Sequence, residues 1–274
     1  MADQPIKAYK DIDFLNSPDA RVVRILAEYL EPQRRLRQQK VHDTVVFFGS
    51  ARLLPREDAL QEKEEILEAI RRSGKKTTPK SMLDQLQRAE TMVSTSRYYE
   101  EAVELARLLT QWSLSLDRQR FVVCSGGGPG IMEAANRGAH AAGGKSIGLN
   151  ISLPFEQFAN KYIPPELNFE FHYFFMRKFW FVYPAKAIVV FPGGFGTLDE
   201  LMEILTLVQT HKLRKDIYIV LYGEEFWNRI VNFQELVRQA VISPEDLSLF
   251  KTCNTPKEAF NYLRRKLTDR YLTK

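Results

Sequence analysis

Short apolar runs alternate with amphipathic stretches along most of this chain. The runs are rich in valine, isoleucine and phenylalanine, which is typical of strands buried on both faces. Helical periodicity separates most of them, so we expect an α/β fold: a Rossmann-like, doubly wound, mostly parallel sheet with helices on both faces. The predicted strands are residues 44–48, 120–124, 145–151, 169–174, 187–191 and 217–222, with a last short run at 247–253.

Helical patterns extend and interrupt this core. We expect one nucleotide-binding domain over residues 1–274, with an N-terminal helical segment at 1–40 and a helical insertion at 56–96. A turn at 74–79 divides the insertion into a helical hairpin. Near the C-terminus, Thr255 followed by Pro256 predicts a helix start, because threonine caps helices and proline suits the first helical position.

Two glycine-rich turns each follow an apolar run and each open a helical pattern. Residues 125–130 read Ser-Gly-Gly-Gly-Pro-Gly, and residues 192–197 read Pro-Gly-Gly-Phe-Gly-Thr. At the carboxyl ends of parallel strands, glycines let the backbone approach an oxyanion, and the helix behind them presents free N–H groups. The two turns together predict a nucleotide site.

The carboxylate that follows the second turn has two interpretations. Thr197 and Glu200 have the spacing of a capping box, in which Glu200 only returns a hydrogen bond to the start of its own helix. Alternatively, Glu200 faces a ligand whose phosphate rests on the glycines, with Glu203 one turn later on the same helix face. Spacing alone leaves both open. Glu133, after the first turn, suits the helix dipole whether or not it contacts a ligand.

Two other segments carry candidate polar contacts. Residues 174–181 place Arg177 and Lys178 in an aromatic, methionine-containing stretch. One interpretation is a core helix whose cations emerge at the surface. The other applies beside a phosphate site: the guanidinium would bind phosphate, and the aromatic rings would exclude water or stack on a base. After the first strand, Ser50 and Arg52 add a hydroxyl and a guanidinium at the same sheet edge.

Composition adds only weak constraints. The net charge of +5 comes from interspersed acidic and basic residues, so it favours anionic ligands weakly and does not indicate nucleic acid. Cys124 and Cys253 lack zinc or redox spacing and the histidines lack metal-ligand spacing, so we expect no metal site. With no hydrophobic signal region and no membrane-length apolar stretch, we expect a cytoplasmic protein that binds no membrane.

Four motifs, in the same order, resemble the Lonely Guy family of cytokinin-activating nucleoside 5′-monophosphate phosphoribohydrolases, formerly described as lysine decarboxylase-like. The likeness is carried by residues 192–200, 126–133, 176–178 and 49–50. It covers about residues 41–55 and 96–223, which leaves both termini and the insertion outside it.

The resemblance implies a hydrolase that converts AMP or N6-modified AMP to the free base and ribose 5-phosphate, as a homodimer or larger homo-oligomer and without a cofactor. It implies two catalytic residues. Glu200 would stabilise positive charge on the ribose, and Arg177 would orient the sugar phosphate or assist the leaving base. The implied substrate-binding residues are Ser50, Gly127, Gly128, Glu133, Met176, Lys178, Gly193, Gly194, Gly196, Thr197 and Glu203.

Other functions stay open on the sequence. Related folds with a similar glycine turn carry molybdenum cofactor or bind nucleotides without turnover, which would make this a non-catalytic binding protein. A DNA-associated Rossmann protein is a third possibility. Decarboxylation would require a lysine placed to form a Schiff base with pyridoxal phosphate, and no lysine beside either glycine turn has that placement.

Overall fold

The computed structural model describes residues 5–72, 79–153 and 158–273. Seven strands pair in parallel in the order β4-β3-β2-β1-β5-β6-β7, which confirms the predicted Rossmann-like sheet. The strands are β1 Thr44–Phe48, β2 Val122–Ser125, β3 Ser146–Ile151, β4 Asn168–Phe171, β5 Ala185–Val190, β6 Tyr218–Tyr222 and β7 Phe250–Cys253.

Helices cover both faces of the sheet. They are α1 Ile12–Asn16, α2 Arg21–Gln38, α3 Arg56–Arg72, α4 Lys80–Thr95, α5 Arg97–Leu114, α6 Ile131–Ala141, α7 Phe174–Val182, α8 Phe195–Gln209, α9 Glu224–Ile230, α10 Phe233–Arg238 and α11 Pro256–Tyr271. In the insertion, α3 and α4 pack together and are joined by the ion pair of Lys63 and Glu90 at 3.2 Å. The turn predicted at 74–79 lies, except for Pro79, outside the described residues.

Alternate residues of each strand enter different apolar cores. Val46 faces the core that contains Phe181 of α7 and Leu201 of α8. Its neighbour Val45 faces the opposite core, which contains Leu105 of α5 and side chains from α6 and α11. Since side chains alternate across a strand, both faces of these short apolar runs are covered, as the sequence pattern predicted.

The order of the strands places a crevice at the centre of the sheet. From β1 the chain continues through β2, β3 and β4 on one side, and it then returns to pair β5 on the other side of β1. Ligands of open α/β sheets bind at the carboxyl ends of strands where the strand order reverses in this way. The loops that follow β1, β2 and β5, which contain the predicted motifs, all leave from this edge.

Most predicted strand ends lie within two residues of the observed ones, and two predicted strands differ more at one end. The strand predicted at 169–174 ends at Phe171. Glu28 of α2 accepts the backbone N–H groups of His172 and Tyr173 at 2.7 and 3.3 Å, and α7 begins at Phe174. The run predicted at 247–253 becomes a strand only at Phe250, because residues Pro244–Leu249 form 3-10 turns.

Local chemistry explains two further boundaries. β2 begins at Val122 rather than at residue 120, because Phe121 has a left-handed φ of 57° and donates its N–H to Asp43 at 2.5 Å. The predicted cap of α11 is confirmed: the Thr255 side chain accepts the N–H of Glu258 at 3.2 Å.

Candidate functional site

The glycine turn after β5 leaves open space above the first N–H groups of α8. A Cβ at Gly194 or Gly196 would meet no atom within 4 Å. At Gly193, by contrast, a Cβ would lie 2.1 Å from Thr197 Oγ1, so this glycine lets Thr197 pack against the turn. Between the open glycines, the ring of Phe195 is 93% exposed. An anion has access here to the N-terminus of a 15-residue helix.

The structure excludes the capping-box interpretation of Glu200. α8 begins at Phe195 with Gly194 as its N-cap, so Thr197 already lies inside the helix and no side chain caps it. Instead, the Glu200 side chain is only 7% exposed. Within the described ranges, its carboxylate has no hydrogen-bond donor and no cation within ion-pair distance.

The environment of Glu200 favours its neutral form. Burial is the main cause that raises the pKa of Glu200 to about 7, and the charges of Glu203 and Asp199 act in the same direction. The cations Lys178 and Arg177 oppose them. At neutral pH this carboxyl group is therefore close to half ionised, which suits a group that accepts a proton or meets a developing positive charge.

Arg177 is held against the first glycine turn. Its Nε donates to the carbonyl of Leu149 at 2.7 Å, and its guanidinium carbon lies 5.0 Å from the centroid of the Phe181 ring. A Cβ at Gly126 would lie 2.6 Å from Arg177 Nη2, so the glycine leaves the space that the guanidinium fills. Burial lowers the pKa of Arg177, and the charge of Glu200 counteracts that effect. Arg177 is therefore fixed and electrostatically coupled to Glu200 rather than free in solvent.

Lys178 connects the two helices that carry these residues. Its Nζ lies 2.7 Å from an oxygen of Asp199 and 2.6 Å from an oxygen of Glu203. Burial lowers the pKa of Lys178, but the bonds to both carboxylates outweigh it and the pKa rises. Lys178 and Glu203, both predicted to bind substrate, are thus paired with each other, and a role in direct substrate contact stays a prediction.

Ser50 joins the two glycine turns. Its N–H donates to the carbonyl of Pro192 at 2.9 Å, and its carbonyl accepts the N–H of Ile131 at 3.0 Å. Gly130 has a φ of 70°, and a Cβ there would lie 2.3 Å from the Ser50 carbonyl oxygen. The close approach of the two backbones requires glycine at this position. The Ser50 hydroxyl accepts the N–H of Arg52 at 3.1 Å.

The remaining predicted residues have other neighbours. Gly127 has a φ of 79° and donates its N–H to Ser125 Oγ at 3.1 Å. Glu133 accepts a hydrogen bond from the Tyr99 hydroxyl at 2.8 Å. Met176 is 8% exposed and packs in the apolar core beneath the site. The structure therefore brings all the predicted segments to one edge, with Met176 as support rather than as part of the open surface.

Sequence reasoning missed the polar groups behind the first glycine turn. Asn160 donates to the carbonyls of Gly127 and Gly128 at 3.0 and 3.1 Å. Asn136 is fully buried in α6 and bonds to Asn160 at 2.9 Å. Asn136 stands next to the predicted motif, but Asn160 is 32 residues from Gly128 and no local pattern marks it.

The described part of the chain contains no group of three or more His, Cys, Asp or Glu side chains arranged to hold a metal ion. In the same residues, no helix combines the length and hydrophobicity that a membrane crossing needs. The fold and the site thus define an α/β protein with two glycine-rich turns at the centre of a parallel sheet, where the strand order reverses. A buried glutamate, Glu200, lies there within the electrostatic influence of Arg177.

Comparison with known proteins refines this class. Residues 132–263 match the family described as "Possible lysine decarboxylase". The chain is 26% identical over 149 residues to the "Probable cytokinin riboside 5'-monophosphate phosphoribohydrolase LOGL5" of Oryza sativa subsp. japonica, a match that covers 54% of this chain and 57% of that protein. It is also 26% identical over 166 residues to the "Cytokinin riboside 5'-monophosphate phosphoribohydrolase LOG3" of Arabidopsis thaliana, covering 60% and 73%. These matches confirm the resemblance to the Lonely Guy family.

Among solved structures, the chain is similar to the Moco carrier protein from Chlamydomonas reinhardtii. The sequence identity is 18%, the match covers 62% of this chain and 88% of that chain, and the TM-score is 0.41.

Proposed function

We propose that this protein hydrolyses the N-glycosidic bond of a nucleoside 5′-monophosphate, AMP or an N6-modified AMP, to the free base and ribose 5-phosphate. The observation that carries the proposal is the buried carboxylate of Glu200, which has no partner within the described residues and lies beside Arg177 on the helix that follows an open glycine turn. The family matches support the same class of reaction.

The open turn is the proposed phosphate subsite. The N–H groups at the start of α8 and the Thr197 hydroxyl would bind the 5′-phosphate, since Gly194 and Gly196 leave the space above them empty of protein atoms. Glu200, on the first turns of the same helix, would then lie beneath the ribose of the bound nucleotide.

The chemistry follows from the charges that develop. As the bond between C1′ and the base nitrogen breaks, its electron pair leaves with the base and positive charge builds on the ribose. Ionised Glu200 stabilises that charge more in the transition state than in the ground state, and it can take a proton from the water that attacks C1′. Arg177, already fixed by Leu149 and Gly126, would orient the sugar phosphate or donate a hydrogen bond to the departing base.

We also propose that the active form is a homodimer or a larger homo-oligomer. Phe174 and Phe175, in the first turn of α7 next to Met176 and Arg177, are 52% and 51% exposed. Neighbouring exposed aromatic side chains are typical of protein interfaces. Sedimentation velocity would test this: a monomer at all concentrations contradicts it. The cytoplasmic location stays a prediction.

Product analysis tests the proposed reaction. The protein is incubated with AMP, an N6-alkylated AMP, GMP and CMP, and base and ribose 5-phosphate are quantified. We expect equimolar products from at least one adenine nucleotide. Glu200→Gln should abolish turnover while calorimetry still detects AMP binding. The variant Glu104→Gln on α5 should behave as wild type, since Glu104 pairs with Arg107 one turn away on the same helix. Failure to release base from any nucleotide contradicts the proposal, and a nucleotide or pterin that co-purifies intact identifies a binding protein instead.

A further inference from the structure

One asparagine holds the backbone of the first glycine turn from behind. The backbone N–H of Asn160 donates to the carbonyl of Gly127 at 2.8 Å. Its side-chain Nδ2 lies 3.0 Å from the same carbonyl and 3.1 Å from that of Gly128. The side-chain oxygen accepts the N–H of Tyr162 at 3.2 Å, which fixes the orientation of the amide. Both glycine carbonyls are therefore held on the side of Asn160.

A second asparagine ties this clamp to the sheet. Fully buried Asn136 accepts hydrogen bonds from Asn160 Nδ2 at 2.9 Å and from the Ser125 hydroxyl at 2.7 Å. Its own Nδ2 donates to the Ser146 hydroxyl at 2.9 Å, at the start of β3. Ser125 in turn accepts the N–H of Gly127 at 3.1 Å. The network is connected and satisfied, which makes it rigid and sensitive to the loss of one member.

The turn that this network fixes is the surface against which Arg177 lies. Gly126, directly before the clamped glycines, is the residue whose missing side chain leaves space for Arg177 Nη2. The other end of the guanidinium is held by the Leu149 carbonyl of β3 at 2.7 Å. A shift of the turn toward the cleft would push the guanidinium out of its place, and a shift away would leave it loosely packed.

We infer that Asn160 is a positioning residue for the candidate reaction, which sets the place of the Arg177 guanidinium by holding the carbonyls of Gly127 and Gly128. Asn160 acts through Arg177 and has no contact with substrate. The inference rests on the proposed function where it is tested by kcat, and on nucleotide binding where it is tested by the dissociation constant for AMP.

A double-mutant cycle tests the inference. Asn160→Ala, Arg177→Gln and the double variant are compared with wild type by kcat and KM for AMP. We expect Asn160→Ala to lower kcat by roughly ten- to a hundredfold, as misplacement of a catalytic group by about 1 Å does. It should also weaken AMP binding by a smaller factor, because the same guanidinium would orient the sugar phosphate. In the Arg177→Gln background the same change should lower kcat less than about twofold further, because residues that act through one another are not additive.

The matched control is Asn232→Ala. Asn232 also bonds its side-chain oxygen to a backbone N–H, that of Glu235 at 2.9 Å, but it does so at the start of α10. It should lower the melting temperature without changing kcat, which separates a loss of stability from a loss of position. Independent, multiplicative effects of Asn160→Ala and Arg177→Gln, or an unchanged kcat in Asn160→Ala, would overturn the inference.

The two proposals fail in distinguishable ways. If wild type releases no base from any nucleotide, the proposed function fails, and the same cycle measured on the dissociation constant for AMP decides the role of Asn160. Coupling in that affinity supports positioning of Arg177, and additivity refutes it. Absence of AMP binding to wild type refutes it as well.

Discussion

Replacing Glu200 by glutamine should make the protein more stable while it removes activity. The carboxyl group of Glu200 is 7% exposed and has no hydrogen-bond partner within the described residues, and its pKa rises from an ordinary 4.5 to about 7. Glutamine has nearly the same shape and carries no charge, so it keeps the packing and removes the unfavourable burial of an anion.

The size and pH range of the effect follow from that pKa. Between about pH 4.5 and 7 the folded protein binds more protons at Glu200 than the unfolded chain does, so the free energy of unfolding falls as pH rises through this range. This decrease in the free energy of unfolding is complete above pH 7. It amounts to about 3 kcal/mol at most, since one pKa unit corresponds to about 1.4 kcal/mol. For a chain of this size, that corresponds to a rise in melting temperature of roughly 5–10 °C in the glutamine variant.

Thermal unfolding of both proteins at pH 5 and pH 8 measures this. At pH 8 the variant should melt several degrees above wild type, and at pH 5 the two should nearly coincide. The control is Glu203→Gln, which removes a carboxylate that pairs with Lys178 at 2.6 Å and should give no gain at pH 8. A Glu200→Gln protein that melts at or below wild type at both pH values would refute the argument, since it would show that the carboxylate is satisfied in the fold.

Three other predictions concern the site and the fold. The proposed mechanism requires ionised Glu200, so kcat should rise with pH through about 7. Lys178→Met removes the largest charge that lowers the pKa of Glu200 and should move the midpoint of this profile to higher pH; an unmoved midpoint contradicts the prediction. Gly194→Val should leave the melting temperature unchanged, since the valine side chain would enter open space. The same side chain should weaken AMP binding in calorimetry at least tenfold, and an unchanged affinity would argue against a phosphate at this turn. Thr255→Ala removes the cap of α11 and should lower the free energy of unfolding by about 1 kcal/mol in a urea titration. The value of kcat should not change, and a loss of activity would show that the cap acts beyond α11.

The sheet was predictable because its strands are continuous apolar runs bounded by polar turns. At the largest error in the centre of the chain, a distant residue decided the outcome. The run at 169–174 has the composition of a longer strand, but Glu28, 144 residues away in sequence from His172, takes the N–H groups that would extend the ladder. Propensity cannot include a partner brought in by tertiary structure.

The glycine turns were found from the sequence, but the state of Glu200 was not. The choice between cap and ligand contact depended on whether α8 begins at Phe195 or later, and sequence methods place helix ends poorly. The pairing of Lys178 with Asp199 and Glu203 and the clamp by Asn160 also required coordinates, since they join separate elements. The catalytic roles of Glu200 and Arg177 stay predictions.

The exposed ring of Phe195 offers a way to observe the glycine turn after β5 directly. With 93% of its surface in solvent and a glycine on each side, the ring supports no core packing, so a larger indole can replace it without rearranging the fold. In a Phe195→Trp variant, the indole would fluoresce from the rim of the proposed phosphate subsite, where the approach of a phosphate would change the polarity around it. Stopped-flow emission from such a variant would separate the arrival of a nucleotide from the proposed bond cleavage in time.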